Sequence, residues 1–267
     1  ADLEASTIDD VRAFYETYYV PANATLVLVG DFDTAAAFDL VKKYFEPVPA
    51  GARPIVRNIP KEPAQAAERR VTLYEDWPLP VVVVAHHITY DGHPDSYPLH
   101  ITAKVLSDGQ SSRIHRRLVY QDQLALAAFG QSNLIEHPNL FYTVAIVQPG
   151  RTPEDAAAAL IAELERVKNE PIGDRELQRA KNQFARDYII GRDSIQQKAS
   201  HLAHAFVLHN GDATTADGEF DIFQGITKED VQRVARTYFT PESRLVLTIL
   251  PRGAAGAPPA RTQGGQQ

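Results

Sequence analysis

Cysteine is absent from this chain of 267 residues, and so is methionine, even at position 1. Without cysteine there is no disulfide, no thiolate metal site and no cysteine nucleophile, which leaves histidine and carboxylate chemistry. No run approaches the roughly 18 apolar residues that a membrane span needs. An excess of basic charge is missing too. The 27 Lys and Arg stand against 34 Asp and Glu for a formal net charge of −7, and the cations are scattered. The footprint of a phosphate-backbone binder is therefore not there, and nucleic acid is not an expected partner. The opening ADLEAST shows neither a signal peptide nor a basic transit-like stretch, and with the missing Met this raises the expectation of a longer precursor that has lost its front.

What is present reads as globular: 44% apolar and 23% charged residues, at a length suited to one large domain or one domain plus part of another. The segment Thr7 to Pro21, TIDDVRAFYETYYVP, is matched 220 residues later by Thr227 to Pro241, TKEDVQRVARTYFTP. Thr7/Thr227, Asp10/Asp230, Val11/Val231, Thr17/Thr237, Tyr18/Tyr238 and Pro21/Pro241 are identical, and Tyr19/Phe239 is aromatic in both. Each copy predicts a helix capped by Thr, acidic in its first turn and stopped by Pro, followed by an apolar strand at Leu26 or Leu245. Two such units would close two similar domains, so most of a first domain is expected to lie outside these residues.

Between the copies, Thr34 to Phe45 has helical spacing behind a Thr, and residues 47–68 hold five prolines (Pro47, Pro49, Pro54, Pro60, Pro63), the signature of a linker. The expected organisation is a domain-one remnant at 1–46, the linker at 47–68, a second domain at 69–251 and a disordered Gly/Ala/Pro/Gln tail at 252–267. The second domain predicts strands over 70–74, 81–88, 124–133 and 140–147 and helices over 95–106, 112–120, 153–168, 174–190 and 194–209, before the closing helix and strand. The fold class is α+β: a largely antiparallel sheet with helices on one face, preceded by the last helix-strand-helix of a homologous first domain.

Three stretches in this order, DLEASTIDDVRAFYETYYVPANATLVLVGDFD, DGQSSRIHRRLVYQDQLA and ELQRAKNQFARDYI, resemble the insulinase/pitrilysin family of zinc metallopeptidases, in its bacterial, mitochondrial-processing-peptidase-like branch. The resemblance runs from Asp2 to about Leu250. It implies a first domain with an inverted motif, H-x-x-E-H plus a downstream Glu, in which two His of one helical face bind zinc and the Glu between them activates water. No H-x-x-E-H occurs in the chain. The corresponding helix of the second domain carries His100-Ile101-Thr102-Ala103-Lys104, with Ala for the Glu and Lys for the second His, so His100 is expected to be a partly buried structural histidine. The family's Arg and Tyr, seven residues apart and implied to grip the substrate carbonyl, fall on Val119 and Leu126, neither of which can donate that hydrogen bond.

Other apparent sites read as structural. Asn133, Glu136 and His137 mimic the zinc motif but surround Pro138 in a hairpin. His86 and His87 lie on opposite faces of a strand, one buried and one turned out. His201-x-x-His204 has a chelating spacing without a third ligand or base in view. Ser111-Ser112-Arg113 reads as a helix start with a Ser cap and lacks a nucleophile elbow. Arg113, His115, Arg116 and Arg117 form a basic cluster, read as a solvated face with an acidic partner surface as its alternative.

The expectation is thus a C-terminal, non-catalytic part of a zinc metallopeptidase, with no catalytic or metal residues of its own. Zinc is expected only in the N-terminal part of the parent. The chain would wall a peptide chamber, with the strand from Leu124 holding an extended peptide, and would meet the N-terminal zinc domain and a homologous partner subunit. The alternative is a catalytically decayed scaffold subunit of a larger assembly. Family branch and cysteine count place the expectation in a bacterial periplasm or exported compartment.

Overall fold

The computed structural model describes residues 2–51, 53–209 and 211–253. The chain divides into two units: residues 1–63 with 189–217, and residues 64–188 with 218–267.

The second unit is built on a five-stranded sheet. Strands β1 (Arg69–Glu75), β2 (Val81–Ile88), β3 (Ala125–Ser132), β4 (Asn139–Val147) and β5 (Arg244–Pro251) lie in the order β1-β5-β2-β4-β3. β1 runs parallel to β5 and every other pair is antiparallel. Period-2 alternation assigns the covered face: Val82, Val84, His86 and Ile88 of β2 are buried, as are their β4 counterparts Ala145, Thr143 and Phe141.

Three helices make the second layer. α4 (Ser96–Ser107) packs on β3, α5 (Pro153–Asn169) on β2 and β4, and α9 (Lys228–Tyr238) on α4, α5 and β2. Leu99, Leu160, Leu164, Val231, Val234 and Phe239 fill the space between the layers. The antiparallel majority and the helix layer agree with the α+β expectation. α6 (Asp174–Ile190) starts and stops where its periodicity predicts.

The first unit contains α1 (Asp2–Ala5), α2 (Ile8–Tyr18), α3 (Thr34–Phe45) and α7 (Ile195–Leu208); α8 (Thr215–Gly225), a helix not expected from the sequence, begins at its end. The expected strand at Leu26 does not form. Among the described residues no strand pairs with residues 24–29, and an extended segment without a ladder is left with its Leu26 and Leu28 side chains exposed.

Residues 7–19 and 227–239 share their local structure. Thr7 and Asp10 close a reciprocal capping box (Thr7 N–H to Asp10 Oδ2, 2.8 Å; Asp10 N–H to Thr7 Oγ1, 3.3 Å). Thr227 and Asp230 close the same box at 3.0 and 3.2 Å. The hydroxyls of Thr17 and Thr237 both donate back one turn, to the carbonyls of Ala13 and Arg233.

The tail expected to be disordered falls largely on residues outside those described. Its first residue, Arg252, is held: its N–H donates to the Glu75 carbonyl and its guanidinium pairs with Asp76 at 3.2 Å.

Candidate functional site

The helix that stands where a metal helix would be expected is α4. Its i, i+4 spacing puts His100 and Lys104 on one face. His100 is partly buried, edge-on to the rings of Phe223 (5.4 Å) and Phe184 (6.0 Å), and burial lowers its pKa from 6.5 to about 4. Lys104 is buried, with Nζ 2.7 Å from Asp187 Oδ2 and 3.2 Å from Asp108 Oδ2. Burial pushes the Asp187 carboxyl up, and the hydrogen bonds from Lys104 and Arg186 more than reverse this, so that it is lowered overall. An ammonium paired with two carboxylates is a satisfied charge and cannot also donate a lone pair to a metal.

These residues do not fit a zinc ion. One imidazole is present, the position of a second is cationic, and Ala103 offers no base. Among the described residues, no three His, Asp or Glu side chains are grouped so as to hold a metal.

α4 is fixed at its N-terminus by α9. Asp95, its N-cap, accepts from Arg233 Nη1 (2.7 Å) and from the Tyr238 hydroxyl (2.9 Å). Burial, followed by the Asp95 contact, pushes the Tyr238 phenol up to about 12.

The positions implied for a carbonyl-gripping Arg and Tyr are Val119 and Leu126. Val119 packs partly buried against the core from a π-helical turn over His115–Gln121. Leu126 is the extra residue of a bulge at the start of β3, where the register against β4 shifts between Ala125 and Ala127, and its side chain is half exposed. Both are hydrocarbon, so this part of the unit offers no oxyanion donor.

The basic cluster is not a solvated face. Arg113 makes a two-pronged pair with Glu176, 2.7 Å at each contact, and this hydrogen bonding holds the Glu176 pKa at about 2. Arg117 reaches the buried Glu163 at 3.1 Å and Asp122 at 3.2 Å. Only Arg116 of the three arginines is exposed. The correction has a plain cause: the acidic partners sit 63 and 46 residues further along the chain and turn two of the cations inward.

The structure places the remaining candidates as follows. His86 is buried and His87 partly exposed. Residues 133–138 connect β3 to β4, with Asn133 Nδ2 donating to Asn139 Oδ1 (3.3 Å). His201 meets Arg192, and burial, then that guanidinium, lowers its pKa. Ser111 accepts from Arg179 through its carbonyl (2.6 Å) and its hydroxyl (3.0 Å). The Ser112 carbonyl accepts the Arg116 N–H at the helix start, but its hydroxyl is buried without a hydrogen-bond partner among the described residues, so the expected side-chain cap is not made.

The fold is thus a layered α+β domain in which the helix that would correspond to a metal helix carries His100, Ala103 and an ion-paired Lys104. The chain belongs to the Peptidase M16 inactive domain family, which it matches over residues 6–184, and so to the insulinase/pitrilysin zinc peptidases. It is similar to the zinc protease PqqE of Helicobacter pylori, 27% identical over 252 residues that are 94% of this chain and 56% of that protein. The chain thus spans little more than half the length of this curated relative. The crystal structure of a protease from Helicobacter pylori superposes with a TM-score of 0.87 at 27% identity, covering 94% of this chain and 60% of that one. A peptidase M16 inactive domain from Pseudomonas fluorescens, 17% identical with a TM-score of 0.76 over 92% of this chain and 58% of that one, shares the fold.

Proposed function

We propose that this chain is the non-catalytic part of a bacterial zinc metallopeptidase. It would wall a chamber for unfolded peptides, and its first unit would be an interface for an H-x-x-E-H domain of the same layered fold. The two matched helices are then copies of one duplicated unit.

The observation that carries the interface is their unequal burial. Val231, Val234 and Ala235 of α9 and Phe239 just after it are 0% exposed, with α9 packed on α4, α5 and β2. Their counterparts in and after α2, Val11, Phe14, Tyr15 and Tyr19, are 57%, 57%, 61% and 68% exposed. A face that forms core in one copy lies bare in the other, so its complement is a body shaped like the α4/α5/β2 layer. Tyr18 fits the same reading: its counterpart Tyr238 grips the N-cap of α4, and Tyr18 would grip the N-cap of the zinc-bearing helix. An exported bacterial setting belongs to this proposal, on the family branch. Among the described residues, no helix is long and apolar enough to cross a membrane.

Hydrogen exchange tests it. In the chain by itself, amides of residues 11–18 should exchange far faster than those of 231–238, because no residue of α2 is fully buried while α9 packs into the core. Adding a separately expressed H-x-x-E-H domain of the parent should protect them, and Val11→Asp with Phe14→Asp should weaken the association at least tenfold. Protection of α2 without the added domain, or association indifferent to both substitutions, would sink the interface.

A further inference from the structure

The outer face of α6 carries a row of arginine. At 3.6 residues per turn, Arg175, Arg179 and Arg186 fall within about 40° of arc, turned away from the buried Ala180 and Phe184. With Gln178, Asn182 and Gln183 they line a surface groove of about 410 Å³. Arg175 and Arg186 are exposed. Arg179 is held in place by neutral acceptors: the Ser111 carbonyl (2.6 Å) and hydroxyl (3.0 Å) and the Val105 carbonyl (3.4 Å). Carboxylates do little to balance the row. Asp187 pairs with Arg186 at 2.7 Å, and the nearby Glu176 has both oxygens taken by Arg113. Among the described residues, neither Arg175 nor Arg179 makes an ion pair.

The arrangement costs the helix locally. Arg175 sits in the first turn, at the positive end of the helix dipole, and Arg175 and Arg179 are like charges at i, i+4. The chain as a whole is acidic, at −7, so a row of positive charge does not follow from its composition. Local costs with no return inside the fold are expected where a surface meets something else. The row is one side chain wide, which suits a single extended chain. Its arginines are spaced about 6 Å and then about 10 Å along the helix axis, and residues two and three apart in an extended strand are about 7 Å and about 10 Å apart. We propose that the outer face of α6 is a docking site for an extended acidic segment of a partner polypeptide, whose carboxylates at i, i+2 and i+5, or in the reverse order if it runs antiparallel, are taken by Arg175, Arg179 and Arg186. Guanidinium forks meet carboxylates two-pronged, and Arg179, already fixed by Ser111, has little freedom left to lose. The site goes beyond the chamber and interface readings and uses none of the residues on which they rest.

The probes are capped, labelled serine peptides carrying three glutamates, spaced i, i+2, i+5 in one, in the reverse order in a second and adjacent in a third. Fluorescence anisotropy with the 267-residue chain at low salt should show saturable binding of a spaced peptide, at least fivefold tighter than the adjacent isomer of equal charge. Binding should weaken as salt is raised, because the contacts are exposed. Arg175→Gln with Arg186→Gln should weaken it at least tenfold at an unchanged melting temperature, since both side chains are exposed. Arg12→Gln with Arg69→Gln, which removes the same charge from exposed positions elsewhere, should leave it intact. No saturable binding, equal affinity for the adjacent isomer, or equal loss in the control variant would overturn the assignment. So would tripolyphosphate competing as strongly as the spaced peptide, which would make the row a site for any polyanion.

Discussion

Gly130→Ala is expected to destabilise the second unit by about 2–3 kcal/mol, the scale of forcing a methyl group into a filled space. A Cβ built on Gly130 meets the Tyr142 carbonyl oxygen at 2.5 Å, Ser107 Oγ at 2.9 Å and Thr143 Cα at 3.0 Å. Two of those three atoms are backbone of β4, so no side-chain rotation relieves those contacts. Ser107 can turn its hydroxyl aside, but the methyl must still part β3 from β4. For a protein of this size the loss reads as a fall in melting temperature of roughly 4–12 °C. Gly218→Ala is the control. It lies within α8 with nothing inside 4 Å of the added carbon, and helix propensity favours Ala there by up to about 1 kcal/mol. Equal melting temperatures for wild type and Gly130→Ala would mean that the two strands do not approach so closely.

The second expectation concerns His86. It is 1% exposed, packed against Phe239 at 5.3 Å, and neither ring nitrogen has a hydrogen-bond partner among the described residues. Burial, then the nearby positive charge of Arg244 and Lys168, lowers its pKa from 6.5 to about 3. The folded state therefore holds this imidazole neutral, while the unfolded chain takes up a proton below about 6.5. Stability contributed by the neutral form is present above the unfolded value and is lost as pH falls toward 3. At pH 5 the loss from this residue is about 2 kcal/mol, and near pH 7 it is close to nil. His86→Leu, similar in volume and free of unsatisfied nitrogens, should be near neutral in stability at pH 7. At pH 5 it should be about 2 kcal/mol more stable than wild type. Denaturant unfolding at the two pH values measures this. A large loss at pH 7 would show that the ring is hydrogen-bonded after all.

Much of the fold was legible in the sequence because its elements are long and periodic. The run VVVVAHHI predicts β2 at its observed ends, and the heptad-like apolar spacing of residues 174–190 does the same for α6. The π-helical turn at His115–Gln121 has no compositional mark that separates it from an ordinary helix. α8 was missed because TADGEFDIFQG is short and holds two glycines. Leu26 fooled the strand reading in a different way: an apolar run predicts a strand only where a neighbour supplies the ladder.

The candidate site was legible in its negative part. Ala103, Lys104, Val119 and Leu126 announce by residue type what they cannot do. What the sequence hid was why Lys104 is tolerated in a core. Its partner Asp187 lies 83 residues away, and nothing local couples them. The same holds for Glu176 and Glu163, which convert an apparent basic surface into two internal ion pairs. Gly130 carried a faint signal, since an isolated glycine in a strand often marks a close backbone approach.

The chain belongs to a zinc peptidase family, and the central proposal is that it holds no peptidase site of its own. Metal analysis of the purified chain, paired with a peptide-cleavage assay with and without chelator, tests it most directly. The account predicts well under one zinc per chain and no chelator-sensitive cleavage. One tightly held zinc per chain together with cleavage that a chelator abolishes would contradict it.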